Sequence, residues 1–484
     1  MLFNSLGFLL FFPTVTIVYF LIPQKIKYLW LLLASYYFYM CWNPQYALLI
    51  LTSTAVTFLS GILIDRVKTE KARKWAVAAS FIINLFILFC FKYFYFTVDN
   101  INIVCKLLNL PPITPKFDVI LPVGISFYTF QALSYTVDVY RKEVEPEKNF
   151  FKYALFVSFF PQLVAGPIER SKNLLSQVNR EHHFDYLRVR KGLFTMLCGF
   201  FLKLVIADRA AILVNTVYDN LSAFGGFHIA LATLCFALQI YCDFASYSII
   251  AIGAAEVMDF RLMKNFERPY FSVSVADFWR RWHISLSTWF RDYLYIPLGG
   301  NKKGKLRKYL NLTIVFLVSG LWHGASWHFV VWGAIHAFYQ VFGGITEPLR
   351  KKARNGLHIE NNPIYRCIRR MFVFLLVCFA WIFFRSASLS EAGFAVNRIF
   401  TGFDVAKTVE YGLDKANFAV LAISAFLLFA VSVLIESGKL SIEKTEKMNI
   451  FTRWFIYYAL IFAVLIFGIY GPGYEASQFI YFQF

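Results

Sequence analysis

The sequence predicts an all-α polytopic membrane protein, and three observations carry that prediction. Of its 484 residues, 58% are hydrophobic and only 16% are charged, against roughly 25% charged in soluble domains. Phe alone occurs 56 times and mean hydropathy is +0.55. A lipid-facing surface accommodates that much apolar side chain, whereas a water-facing one would aggregate. Finally, the apolar residues gather in runs close to the roughly 20 residues that span a bilayer.

In chain order the runs are 3–22, 28–42, 46–64, 75–96, 119–137, 192–214, 227–255, 371–386, 417–436 and 453–471, which predicts ten crossings. Met1 to Ile22 has neither a basic leader region nor a small-residue cleavage site, so it reads as a retained first helix rather than a signal peptide. Basic residues cluster between the runs: Lys25 and Lys27, then Arg66 to Lys74, then Arg141 to Lys148, then Arg180 to Lys191. Loops near residues 43 and 219 are almost free of them. The positive-inside rule puts the basic loops in the cytoplasm and both Met1 and Phe484 outside. The outside loop 97–118 holds Pro111, Pro112 and Pro115, and loop 387–414 reads as partly helical. With no repeat and no soluble segment, residues 1–484 read as a single transmembrane domain with a motif core at about 119–345.

The formal charge of +19 fits either nucleic acid or a membrane flanked by basic loops. The clusters sit between apolar runs, so membrane lipid is the expected partner and nucleic acid is not. None of the eight cysteines forms CxxC, and most lie inside apolar runs. They read as small buried hydrophobes, with no disulfide framework and no metal site expected.

Two further apolar segments, 150–168 and 310–345, are broken by Pro, Gly and His and have basic clusters on both flanks. Each must cross an even number of times or dip in and return. Re-entrant backbone is tolerated only where protein buries it or it lines a wet cavity. Both segments are therefore candidates for a site inside the membrane. In the first, Pro161 and Gln162 begin a Pro- and Gly-broken stretch ending at Arg170, which reads as a cavity lining or as a simple turn.

Four of the eight histidines and six of the eleven tryptophans fall between Trp279 and His336. Ser274 and Asp277 give a capping-box-like helix start. Phe278, Trp282, Leu286 and Trp289 follow on one helical face, with Arg280, Arg281 and Arg291 beside them. This predicts an amphipathic helix over 274–290 at the cytoplasmic interface, its aromatics in the headgroup layer. It is either a plain anchor or, with Trp279, Arg280 and Arg281, the wall of an entrance that attracts an anionic donor.

His323 lies about 11 residues into the next apolar run, or about 16 Å if that run is helical. Gly320 and Gly324 flank it and permit close backbone approach or a helix break. Polar groups at that depth are costly and usually mark a function. Desolvation there favours neutral imidazole, which can take a proton from a hydroxyl nucleophile. A structural histidine bonded to another helix is the alternative. His336 is reachable only if the chain folds back, and Trp322 adjoins His323. His328 reads as a packing residue, and His182 and His183 as solvated. Asp243, with Gln239 one turn before it, lies mid-span. An isolated carboxylate there costs roughly 2.5–3.5 kcal/mol, so pairing with an arginine or a histidine is expected. No Walker loop, GxSxG or HExxH is present.

The stretches Pro161-Gln-Leu-Val-Ala-Gly-Pro-Ile-Glu-Arg170, Phe278-Trp-Arg-Arg-Trp-His-Ile-Ser-Leu-Ser-Thr-Trp289, Arg291-Asp-Tyr-Leu-Tyr-Ile-Pro-Leu-Gly-Gly300 and Gly320-Leu-Trp-His-Gly324 resemble the membrane-bound O-acyltransferase (MBOAT) superfamily. Within it they resemble the alginate O-acetyltransferase membrane-subunit group. The teichoic acid D-alanyl transfer protein is a more distant likeness. The resemblance implies a ring of transmembrane helices around a re-entrant core, with two funnels joined by a tunnel. His323 would be the active-site histidine and His336 the second. The donor would be a cytoplasmic acyl thioester, acetyl-CoA or an acyl carrier protein, with no tightly bound cofactor. The acceptor would be an extracellular polysaccharide or cell-wall polymer, reached through a secreted SGNH-type acetyltransferase. The membrane would be the bacterial plasma (inner) membrane. A proton-coupled transporter using His323 and Asp243 without acyl chemistry is the competing reading, and the inverted repeats common in transporters are not apparent.

Overall fold

The computed structural model describes residues 1–115, 121–360, 362–404, 410–471 and 479–480, and among these every regular element is helical. The first helices are α1 (Leu6–Leu21), α2 (Lys27–Met40), α3 (Tyr46–Arg66), α4 (Glu70–Leu88), α5 (Phe94–Leu107), α6 (Ile125–Tyr140), α7 (Phe150–Ser158), α8 (Ser171–Val178), α9 (Tyr186–Phe200), α10 (Asp208–Tyr218) and α11 (Gly226–Val257). They are followed by α12 (Val275–Arg281), α13 (Ile284–Phe290), α14 (Gly304–His323), α15 (Trp327–Gly356), α16 (Pro363–Arg385), α17 (Leu389–Thr401), α18 (Lys415–Glu436), α19 (Ile442–Glu446) and α20 (Ile450–Phe467). Caps mark where many begin. Ser5, Asn149, Ser274, Asn362, Ser388, Asp414 and Asn449 each accept a backbone N–H of the first turn, satisfying donors that the helix leaves open. Pro363 stands at the start of α16, where its missing N–H costs nothing.

Seven described helices are long and apolar enough to cross a membrane: α3, the continuous α4–α5 (Glu70–Leu107), α11, α15, α16, α18 and α20. They match six of the ten expected runs and add α15. The run at 3–22 is the shorter apolar helix α1. The run at 28–42 gives only the 14 residues of α2. The run at 119–137 becomes the 16-residue α6, buried almost throughout, with residues 119 and 120 outside the described part. The run at 192–214 is helix interrupted by a π segment, Phe201–Ala207, that carries Lys203. The expected loop 97–118 is helical as far as Leu107, as α4 continues through a π turn at Phe89–Tyr93 into α5; residues 116–118 lie outside the described part. Phe484 lies outside the described residues.

The chain divides into two compact units, Met1–Leu193 with Ile250–Met263, and Phe194–Ile249 with Lys264–Phe484. Small and neutral polar side chains bind several helices of the first, alongside the buried Asp138 and Glu169. Ser53 donates to Asn84 at 2.6 Å and Tyr153 to Thr57 at 2.8 Å. A Cβ at Gly61 would lie 2.7 Å from the Tyr135 hydroxyl, so glycine sets how closely α3 and α6 approach. The broken segment 150–168 is the nine-residue α7, too short to cross, followed by buried turns. His182, expected to be solvated, is buried instead. Its ring stacks on Phe260 at 4.3 Å, Nε2 meets the Gln177 carbonyl at 2.9 Å and Nδ1 lies 3.4 Å from Asp259.

The second unit contains the other broken segment as a helical hairpin. Gly324 ends α14, Ser326 precedes α15, and the two helices pack along their length. Gly320 touches the Phe329 carbonyl and Gly333 the Phe316 carbonyl, so closely that a Cβ at either would collide with the opposite backbone. This is the fold-back that the basic flanks require.

Candidate active site

The hairpin places His323 at the last turn of α14 and His336 on α15. Both are buried, and both rings contact Trp332, at 5.0 Å in each case. His323 is ringed further by Trp322 at 5.0 Å, Phe384 at 5.4 Å and His283 at 6.4 Å. Trp279 Nε1 donates to His336 Nδ1 at 3.2 Å. That bond places the His336 proton on Nε2 if the ring is neutral, and Nε2 has no hydrogen-bond partner. The structure therefore offers one buried imidazole N–H to a further acceptor.

The expected helix over 274–290 is two helices, α12 and α13, broken at Trp282–His283. The Ser274 cap holds, accepting from Asp277 N at 3.0 Å. Phe278, Trp282, Leu286 and Trp289 are all buried, so they pack in the protein core rather than in the headgroup layer. The break exists because His283 adopts a left-handed backbone, φ 45°. Asn265 secures it: its Oδ1 lies 3.2 Å from His283 Nδ1 and accepts from Ser285 Oγ at 2.9 Å, while its Nδ2 donates to Ser248 at 3.1 Å. Burial pushes the His283 imidazole down to about 3, so it is neutral at physiological pH.

A cavity of about 1370 Å³ lies against this cluster, within the second unit. Trp279, Phe316 and Tyr339 line it while in ring contact with His336, and Ser319, also in the lining, lies one turn before His323 on α14. Arg280, Arg291, Lys308, Arg350 and Arg369 line it against one carboxylate, Glu347. No histidine is part of the lining; the indole of Trp279, 5.1 Å from His336, and the ring of Phe316, 6.2 Å from it, are. Of the two arginines expected at an entrance, Arg280 is exposed on the cavity. Arg281 turns to Glu436 at 3.1 Å and Asp277 at 3.3 Å.

Asp243 takes neither arginine nor histidine as its partner. It pairs with Lys203 at 2.6 Å and accepts from Ile480 N at 2.6 Å, and Lys203 also reaches Asp208 at 2.9 Å. Gln239 is buried on the same helix with its Oε1 unpartnered. Neither residue lines the cavity. Pro161 and Gln162 belong to the first unit, where Gln162 donates to Gln131 and to the Phe156 carbonyl, both at 3.2 Å. His328 packs with its Nδ1 3.0 Å from the Phe383 carbonyl. Two residues escaped the sequence reading: His283, which lies off the aromatic stripe of a single-helix projection, and Lys203, hidden in an apolar run. A positive charge in the run at 192–214 was a usable signal for the partner of Asp243. Among the described residues no three His, Cys, Asp or Glu side chains are grouped to hold a metal.

The fold is that of a helical multi-pass membrane protein with buried imidazoles packed beside a basic cavity. The sequence profile of the membrane-bound O-acyltransferase family matches residues 143–388. The chain is 39% identical over 398 residues to the probable alginate O-acetylase AlgI of Pseudomonas syringae pv. tomato, covering 81% of this chain and 74% of that protein. It is 32% identical over 424 residues to the peptidoglycan O-acetyltransferase of Helicobacter pylori, covering 81% and 78%. A teichoic acid D-alanyltransferase of Bacillus subtilis is 25% identical over 293 residues, covering 56% and 71%. The chain belongs to the membrane-bound O-acyltransferase family and is an O-acyltransferase.

Proposed function

We propose that the protein transfers an acyl group, acetyl in the first instance, from a cytoplasmic thioester to a polymer outside the bacterial plasma membrane. The contact that carries this reading is Trp279, which belongs at once to the cavity wall and to the imidazole cluster through His336. The thioester enters the cavity, where Arg280, Arg291, Lys308, Arg350 and Arg369 favour an anionic carrier such as the phosphates of acetyl-CoA or the prosthetic arm of an acyl carrier protein. A shift of the Trp279 indole brings the acyl carbon to the imidazoles. His323 takes the proton of the attacking hydroxyl as that oxygen bonds the acyl carbon. The C–S bond then breaks and the proton passes to the departing thiolate. His336 donates its Nε2–H to the developing oxyanion, and His283, 6.4 Å from His323, keeps that ring in register. No tightly bound cofactor is required.

For the acceptor, relatives named for alginate and peptidoglycan O-acetylation support an envelope polysaccharide. A secreted SGNH-type acetyltransferase would complete delivery. D-alanyl transfer to teichoic acid is the second reading, supported by the Bacillus subtilis relative, and it differs in requiring a carrier protein as donor.

The test is purified protein in lipid with radiolabelled acetyl-CoA or acetyl-loaded carrier protein. His323→Ala should lower turnover by roughly 10²–10⁴-fold, the scale of general acid–base catalysis, with melting temperature unchanged. Full turnover in a folded His323→Ala protein would end the proposal.

A further inference from the structure

We infer that Glu436, at the C-terminal end of α18, is a positioning residue for the acyl transfer: it locks the two segments whose pairing holds the His283 imidazole beside His323. The inference rests on the reading that His283 supports His323.

Residues 265–268 and 281–285 run against each other. Glu267 N donates to the Arg281 carbonyl at 2.9 Å, and Ile284 N to the Asn265 carbonyl at 2.9 Å. At one end of this pairing Asn265 meets His283 Nδ1 and Ser285. At the other end stand Arg268 and Arg281. Glu436 takes both: Arg268 Nε donates to Oε2 at 2.7 Å, and Arg281 Nη1 reaches Oε2 at 3.1 Å and Oε1 at 3.2 Å. Arg370 adds a third guanidinium 3.8 Å from Oε1 and itself donates to the Phe271 carbonyl at 3.1 Å. One carboxylate thus ties both segments to α16 and α18.

The tie has strain to hold. Arg268 (φ 48°) and His283 (φ 45°) both adopt the left-handed region, which L side chains leave readily unless neighbours over-determine it. An exposed lone ion pair would do little. Glu436 is four-fifths buried and engages three arginines from separate parts of the chain. Removing its charge frees Arg268 and Arg281, lets the pairing slacken, and allows the His283 ring to drift from His323 while the cavity wall at Arg280, Arg291 and Arg369 stays intact.

The experiment is a double-mutant cycle in lipid with a labelled acetyl thioester. Glu436→Gln should lower kcat on the order of tenfold, the scale of coupling between residues in contact, with donor KM within about twofold. In a His283→Ala background the same substitution should lower kcat no further, whereas Arg280→Ala should act equally in both backgrounds. Glu436→Asp, which keeps the charge, should recover most of the lost kcat; if Glu436→Gln yields too little folded protein, Arg281→Lys, which loosens the same tie, is carried through the same cycle with the same outcomes. An equal effect of Glu436→Gln with and without His283, or a fall in melting temperature with kcat per folded molecule unchanged, overturns the inference. Turnover surviving His323→Ala would instead overturn the reading beneath it.

Discussion

The two units bury polar groups in different ways. In the first, hydroxyls and amides meet one another in neutral pairs, Ser53 with Asn84, Tyr153 with Thr57, Gln131 with the Phe156 carbonyl at 2.5 Å, and its buried titratable groups are spread singly: Asp138 accepts from Ser171 at 2.7 Å, Glu169 from Asn173 at 2.6 Å, and His182 packs on Phe260. In the second, buried titratable groups are gathered into clusters: His283, His323 and His336 around Trp332 and Trp322, and Lys203 with Asp208 and Asp243. Neutral pairs between helices contribute modestly and can be lost one at a time. A buried ion cluster is different, since deleting one member strands the others in low dielectric. Within the second unit the ion cluster and the imidazoles also divide the labour. The cluster is closed by internal partners, while His336 keeps an unspent donor beside a cavity.

The largest effect on folding should come from Lys203→Met. It leaves Asp208 and Asp243 buried without their cation, a loss of roughly 3–5 kcal/mol. Thermal unfolding in detergent should show a collapse in melting temperature and in yield of folded protein. Adding apolar substitutions at Asp208 and Asp243 should recover part of the loss, as well-packed hydrophobes replace a buried ion cluster at little cost. Recovery of stability together with turnover would confine the cluster to structure. Recovery of stability alone would draw Asp243 into the chemistry and break the division drawn above.

A smaller effect belongs to the hairpin. Gly320→Ala places a methyl against the Phe329 carbonyl, and Gly333→Ala places one against the Phe316 carbonyl. Overpacking of this kind costs about 1–3 kcal/mol. Because Phe316 also walls the cavity and lies 6.2 Å from His336, Gly333→Ala should lower turnover more than its loss of stability explains. Equal loss of stability and turnover per folded molecule for both variants would place the hairpin glycines in packing alone.

The outline of this site was legible in the sequence because membrane physics constrains it. Basic flanks on both sides of 310–345 demand a return, and the hairpin supplies one. A histidine beside two glycines, expected at mid-depth, marks the turn where α14 ends. What stayed hidden depends on contacts over long separations or on backbone strain. The break at Trp282–His283 has no glycine to announce it; Asn265 imposes it through side-chain bonds. The aromatic stripe Phe278, Trp282, Leu286, Trp289 has the same spacing whether it faces headgroups or a protein core. Lys203 and Asp243 are 40 residues apart, and no local pattern joins them. The π turn at Phe89–Tyr93 extends a helix through a stretch whose later prolines suggested a loop.

The smallest effect tests the neutral side of the comparison. Tyr153 donates to Thr57 at 2.8 Å between α7 and α3, and its ring lies 4.4 Å from that of Tyr135. Tyr153→Phe keeps the ring and removes the hydroxyl alone. The Thr57 hydroxyl still donates to the Ser53 carbonyl at 2.7 Å, so the deletion strands no charge and leaves no donor unsatisfied. The loss should be about 0.6 kcal/mol, the average for hydrogen bonds between membrane helices, read as a small drop in melting temperature with kcat and KM unchanged. A loss several times larger would mean that the neutral network acts as one cooperative unit, as fully satisfied polar chains do when each bond polarises the next. The first unit would then resemble the ion cluster of the second in how it fails, though not in what it can do chemically.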